Sequence, residues 1–186
     1  MAKVYECIEP RLAQWMEQQP VFFVATAPLS ADGLVNVSPK GLRGTFRVLD
    51  DRTVGYVDLT ASGIETVAHL RENGRICLMF CAFDGPPNVV RLHGTGRVVT
   101  YEDPAFPAAL APFAGALAEH CAQPRAVVTV AVTRVADACG YAVPQMDLRG
   151  ERDLLDSWTE RKTPGELDDY RARRNAVSLD GLPGLW

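Results

Sequence analysis

The chain has 186 residues, 47% of them apolar and 23% charged, with a formal charge of −4. That composition excludes collagen-like, disordered and supercharged classes, and 23 acids against 19 bases speak against binding along a nucleic-acid phosphate backbone. The length suits one domain, no apolar run approaches the roughly 20 residues of a membrane-spanning helix, and MAKVYECIEPR holds no signal-peptide core.

Residues 9–19 set Leu12, Trp15 and Met16 at i, i+3 and i+4, which predicts a short helix with one apolar face. The period then changes. Val21–Thr26 is a β-branched and aromatic run closed by Pro28 and the turn Ser30-Ala31-Asp32-Gly33, and Leu34–Ser38 alternates as its hairpin partner. Pro39-Lys40-Gly41 interrupts that strand, since proline lacks the ladder donor and glycine marks a bulge or close backbone approach. Thr45–Leu49 and Thr53–Asp58, joined by Asp50-Asp51, read as a second hairpin.

Ser62-Gly63-Ile64-Glu65 has capping-box spacing, with Ser62 expected to accept from residue 65 and Glu65 to reach back to residue 62. The helix it opens should stop at Asn73-Gly74. Arg75–Cys81 reads as a strand buried on both faces, and a long strand, Val89–Thr100, follows the Asp84-Gly85-Pro86-Pro87 loop. Asp103-Pro104 opens a helix expected to run to Glu119 with a break near Pro112, and Ala126–Val135 is the strongest strand signal in the chain.

The last third is different. Eight acids and seven bases from Asp147 to Arg174 surround Leu154, Leu155, Trp158, Leu167 and Tyr170, which predicts two helices separated near residue 163. The second opens on another capping box, Thr163-Pro164-Gly165-Glu166. The irregular apolar tail Ser178–Trp186 should pack on the domain or on a second subunit. Turn-length links between the first four strands fit a βαβ sheet poorly. The expected fold is mainly β with flanking helices (α+β): a six-stranded antiparallel split β-barrel. It should form a single domain over 1–186, with 147–186 a helical C-terminal extension on the barrel or on a dimer partner.

Chemistry narrows by elimination. His69, His93 and His120 lack metal-ligand spacing, and the thiols of Cys77 and Cys81 do not complete a site, so no metal is expected. The odd count of five cysteines without a CxxC pair suits reduced thiols and a cytoplasmic protein. No GxSxG, GxGxxG or GxxxxGK[ST] motif occurs. What remains is polar residues at strand ends: Ser38 and Lys40 at the end of the second strand, Thr60 and Ser62 between the fourth strand and a helix start, and Arg91 inside an apolar strand. A helix start rich in Ser, Thr and Gly seats a phosphate, and Lys40 and Arg91 could supply counter-charge. Equally, Ser62 and Glu65 could simply cap their helix, and Arg91 could sit on an exposed strand face.

At these residues the chain resembles the pyridoxamine-phosphate-oxidase-like group of FMN-binding split β-barrels. The matching stretches are VFFVATAPLSADGLVNVSPKG (21–41), GYVDLTASGIETVAHLRENGRICLMFCAFDGPPNVVRLHGTGRVV (55–99), CGYAVP (139–144) and SLDGLPGL (178–185). The resemblance implies a homodimer with FMN in a groove at the subunit interface. Carried over by position, it implies Ser38, Lys40, Thr60, Ser62, Gly63, Thr66 and Arg91 as the cofactor-binding residues. One departure stands out: the oxidases carry an Arg-Lys pair just after the glycine, and here those positions are Glu65 and Thr66. The resemblance implies an FMN-dependent oxidoreductase acting on a small molecule; the acidic balance and the lack of a long apolar run predict no nucleic-acid or membrane partner. His93 and Tyr141 are candidate acid or base groups. The alternatives are a flavin carrier or sensor without turnover, an F420-dependent reductase, and a cofactor-free barrel that keeps only the fold.

Overall fold

Every strand pairing in the computed structural model, which describes residues 3–186, is antiparallel. In chain order the elements are β1 (Val4–Tyr5), α1 (Pro10–Gln18), β2 (Phe22–Thr26), β3 (Asn36–Lys40), β4 (Phe46–Val48), β5 (Thr53–Leu59) and α2 (Glu65–Asn73). Then come β6 (Arg75–Cys81), β7 (Val89–Thr100), α3 (Phe106–Leu110), a 3-10 turn (Ala111–Phe113), α4 (Ala114–Leu117), β8 (Pro124–Ala138), α5 (Leu154–Glu160) and α6 (Pro164–Arg174). The sheet runs β3-β2-β6-β7-β8-β5-β4, with β1 paired to β8 off that path.

The sheet curls back on itself. Phe22 on β2 and Phe46 on β4 stand five places apart in the strand order, which in a flat sheet would separate them by roughly 24 Å. Their ring centroids are 5.4 Å apart, and Phe80 on β6 lies 4.8 Å from Phe46. The inward residues of each strand, among them Val24, Tyr56, Leu78, Val90, Leu92, Val128 and Val130, close around those rings. Alternation makes this possible: Phe22, Val24 and Thr26 are buried while Phe23 and Ala25 face the other side. Helix α1 adds Leu12 and Met16 to the same core. Losing one of these buried aromatic rings should cost about 3–5 kcal/mol.

Two smaller clusters matter for the site. Helices α3 and α4 and the turn between them cover Val57 and Val127 with Phe113. Ile64 and Val67 at the start of α2 pack against Leu185 of the tail. Leu185 is thus seated on its own chain, while Leu179 and Trp186 of the same tail are exposed.

Three expectations need correction. The main path contains seven strands rather than six, one for each of the seven runs that read as strands, and Val4–Tyr5 adds an eighth that at two residues is too short to show a period. The Ser62–Glu65 capping box does not form. Helix α2 starts at Glu65 behind Ile64, and the Glu65 carboxylate accepts from the adjacent Ile64 N–H at 2.9 Å instead of reaching residue 62. The helix expected to open at Asp103 starts at Phe106 and breaks into three pieces, because Pro107 and Pro112 each remove a backbone donor. The second capping box forms as expected: Thr163 Oγ1 accepts from Glu166 N–H, and Glu166 accepts from Thr163 N–H at 2.8 Å.

Candidate functional site

The two barrel edges are consecutive in sequence, so the Gly41–Thr45 link crosses the open side of the barrel. The Thr45 hydroxyl pins this link through the Gly41 and Leu42 carbonyls at 3.0 and 2.8 Å. Leu42 is the one non-glycine residue with a left-handed backbone among the described residues (φ 66), a conformation concentrated at ligand sites. Beside the link lies a cleft of about 580 Å³, within the range of small-molecule and cofactor sites. Its floor includes Lys40, Asp58 and Arg125, and its outer wall comes from Leu148, Glu151, Leu154 and Leu155 of the C-terminal extension. Glu151 fastens that wall by accepting from the Arg43 N–H at 2.8 Å.

A narrow recess of about 40 Å³ adjoins the cleft and shares Ser38, Lys40, Ser62 and Arg125 with it. Gly63, Ile64, Glu65, Thr66 and Val67 complete its lining. The two cations are organised by one carboxylate: Lys40 Nζ donates to Asp58 Oδ1 at 2.6 Å, and Arg125 Nε donates to Oδ2 at 2.8 Å. Burial alone would raise the Asp58 pKa, but the charges and hydrogen bonds of Lys40 and Arg125 outweigh it and hold it at about 2. Arg125 also donates through Nη1 to the Ala61 carbonyl at 2.8 Å, which leaves Nη2, and Lys40 keeps two ammonium protons after pairing with Asp58. The recess therefore presents cationic donors and hydroxyls, next to a mainly apolar cleft.

Of the residues singled out in the sequence, the structure brings together Ser38, Lys40, Ser62, Gly63 and Thr66 around this recess. Thr60 and Arg91 lie elsewhere. The Thr60 hydroxyl is buried and accepts from Nε and Nη2 of Arg171 on α6, at 3.1 and 2.9 Å. Arg91 pairs with Met79 and Ala136 across the sheet, on the face opposite Val90 and Leu92, beside Cys77 and Cys81. Burial pushes both thiols up more than Arg91 pulls them down, so neither is a ready nucleophile. His93 lies on that outer face, its pKa lowered by burial and by Arg134 and Arg91, and Tyr141 is exposed. Neither lines the cleft.

Sequence reading missed Asp58 and Arg125. Each carries a faint signal, a charge at the edge of an otherwise apolar run: YVDL for Asp58 and PRAVV for Arg125. Local pattern could not show that β5 and β8 are neighbours, with Asp58 opposite Ala126. The wall from Leu148 to Leu155 was also missed, since its contact with the Gly41–Thr45 link spans more than a hundred residues.

The donor set fits a phosphate ester: two cations, the Thr66 hydroxyl and the backbone at the start of α2. The Glu65 carboxylate is turned back onto Ile64 N–H. Comparison with known proteins agrees with the barrel. The family model "Pyridoxamine 5'-phosphate oxidase" matches residues 8–139. The pyridoxamine 5'-phosphate oxidase family protein ustO of Aspergillus flavus is 39% identical over 195 residues, covering 97% of this chain and 77% of that one. Group A Streptococcus HupZ aligns with a TM-score of 0.54 at 24% identity, over 69% of this chain and 91% of its own. An FMN-binding protein from Syntrophomonas wolfei aligns with a TM-score of 0.50 at 12% identity, over 68% of this chain and 83% of its own. The split-barrel fold is shared across these proteins, and the chain belongs to the pyridoxamine 5'-phosphate oxidase family.

Proposed function

We propose that the chain is an FMN-binding oxidoreductase acting on a small molecule. The observation that carries the reading is the adjacency of the two spaces: a recess of about 40 Å³ with cationic donors shares Ser38, Lys40, Ser62 and Arg125 with a mainly apolar cleft of about 580 Å³. That shape suits a ligand with an anionic end and a flat apolar ring. A bound flavin would supply hydride-accepting chemistry at its ring. Lys40, Arg125 and Thr66 would hold the phosphate end, and Leu154 and Leu155 would exclude water from the ring. Glu65 lines the recess with Lys40 and Arg125, and Asp58 of the adjoining cleft pairs with both cations, so two acids balance the two bases. Placed donors, more than net charge, would then hold the phosphate.

A homodimer belongs to the same proposal. Val35 and Val37 on the hairpin are 72% and 62% exposed, an apolar surface that a second copy would cover. The outer face bearing Arg91 could then reach a groove between subunits.

An absorbance spectrum taken after incubation with excess FMN and desalting tests the reading. Retained flavin bands, lost in Lys40→Ala or Arg125→Ala proteins that still fold, are the expected result. Colourless protein would overturn FMN binding; parallel incubations with FAD and F420 identify a different flavin. Bound flavin that no nicotinamide donor reduces would point to a carrier or sensor instead.

A further inference from the structure

We propose that Asn36 is a positioning residue that keeps the Thr66 hydroxyl proton aimed into the recess. The inference rests on the reading that the recess takes the phosphate end of a flavin.

Asn36 opens β3 and is only partly buried, yet its whole side-chain amide is engaged. Its Nδ2 donates to Thr66 Oγ1 at 3.0 Å and to Thr26 Oγ1 at 3.2 Å, and its Oδ1 accepts from the Ser38 hydroxyl at 3.0 Å. A hydroxyl has one proton and two acceptor lone pairs. Thr66 receives Asn36 on a lone pair, so its proton remains for a ligand. Ser38 has already given its proton to Asn36 and offers the recess only acceptors. An anion needs donors, so of these two hydroxyls lining the recess Thr66 is the one poised to bind it.

The orientation of the amide follows from what lies behind it. Thr26 Oγ1 is 3.0 Å from Nδ1 of His69, which is fully buried. The other ring nitrogen, Nε2, is buried without a hydrogen-bond partner and faces the Asp180 carboxylate of the tail at 3.9 Å. A carboxylate on that side favours the proton on Nε2, which makes Nδ1 an acceptor. Thr26 then donates to His69, and its free lone pair takes Nδ2, not Oδ1, of Asn36. The buried chain runs in one direction, Asn36 to Thr26 to His69, toward Asp180.

Affinities for FMN and for riboflavin, which lacks the phosphate, test this by titration of flavin fluorescence. Wild type should bind FMN more tightly than riboflavin. Asn36→Ala should weaken FMN roughly fivefold, the worth of about one neutral hydrogen bond, and leave riboflavin unchanged. Asn36→Asp should lose more, because the near-isosteric carboxylate would accept the Thr66 proton and repel the phosphate. Thr66→Ser should keep the preference. In a Thr66→Val background, Asn36→Ala should add no further loss, since the proton it positions is gone. An intact FMN preference in Asn36→Ala, or losses that simply add in the double variant, would overturn the role of Asn36. Equal affinities in wild type would overturn the phosphate reading of the recess, and this inference with it. Riboflavin affinity reports on folding of every variant.

Discussion

Lys40 Nζ and Arg125 Nε grip opposite oxygens of the Asp58 carboxylate, at 2.6 and 2.8 Å, so one buried acid holds both cations of the recess in place. Removing it strands those charges. Arg125 is 4% exposed in its side chain and Lys40 only 20%, so little water can replace the lost partner. Breaking a buried pair by deleting one member costs about 3–5 kcal/mol. Asp58→Ala is therefore expected to shift the urea midpoint far down, more than Lys40→Ala does. A midpoint near that of wild type would show that water or a moved side chain satisfies Arg125.

The same carboxylate sets an acid limit. Its folded pKa of about 2 lies below its ordinary value of 3.8, so folding favours the charged form. The contribution is complete above about pH 4 and disappears as pH falls through 2; the shift corresponds to roughly 2 kcal/mol. Asp137 and Asp156 act with the same sign: a hydrogen bond from Tyr5 lowers the first, and bonds from His120 and Ala122 lower the second against burial. Urea midpoints measured from pH 6 to pH 2 should hold steady and then drop below pH 4. Asp58→Asn should show a shallower drop, because the group that titrates is gone. An equally steep drop in that variant would place the acid sensitivity elsewhere.

Much of the barrel was readable from residues because local order creates it. Alternation at Phe22–Thr26, the Asn73-Gly74 stop and the Thr163 capping box are written into neighbours a few positions apart. The recess was half readable, since Ser62, Gly63 and Thr66 share one strand-to-helix turn. Arg125 and Asp58 meet across 67 positions, and Arg43 meets Glu151 across 108, contacts that only the strand order creates. Thr60 shows the opposite case: it sits in the right turn, yet Arg171 from α6 claims its hydroxyl. Glu65 reads as a cap by spacing, but its carboxylate bonds the nearer Ile64 N–H.

Gly94 marks the bulge where β7 shifts register against β8. A Cβ there would run into the Ala131 carbonyl and come within 2.9 Å of a Val130 methyl. Both neighbours belong to the central strand pair, so neither can retreat without disturbing the barrel. Gly94→Ala is expected to destabilise by about 1–3 kcal/mol or more, the range for overpacking a closed core. Gly85→Ala is a fair comparison: both positions lose glycine, but no atom lies within 4 Å of the added carbon there. Its positive φ leaves only backbone strain. Thermal unfolding of the two variants checks the order, and a smaller loss at Gly94 would show that the bulge can relax.

The tail braces the turn that forms the recess. Arg71 on α2 donates to the carbonyls of Gly184 and Leu185, and Leu185 is 2% exposed against Ile64 and Val67. Asn175, fully buried, reaches the Ala61 carbonyl at 3.0 Å from the other side. Deleting Leu185 and Trp186 would uncover Ile64, which directly follows Gly63, and remove one acceptor from Arg71. Loss of a buried leucine side chain costs about 2–5 kcal/mol, and here the cost falls on the first turn of α2. Hydrogen exchange should therefore quicken at the amides of Ile64–Ala68 in the truncated protein, while those of β7 and β8 change far less. Flavin affinity, if the recess holds the phosphate, should fall along with that protection. Uniform quickening across the sheet would mean that the tail stabilises the whole barrel and has no particular hold on this turn.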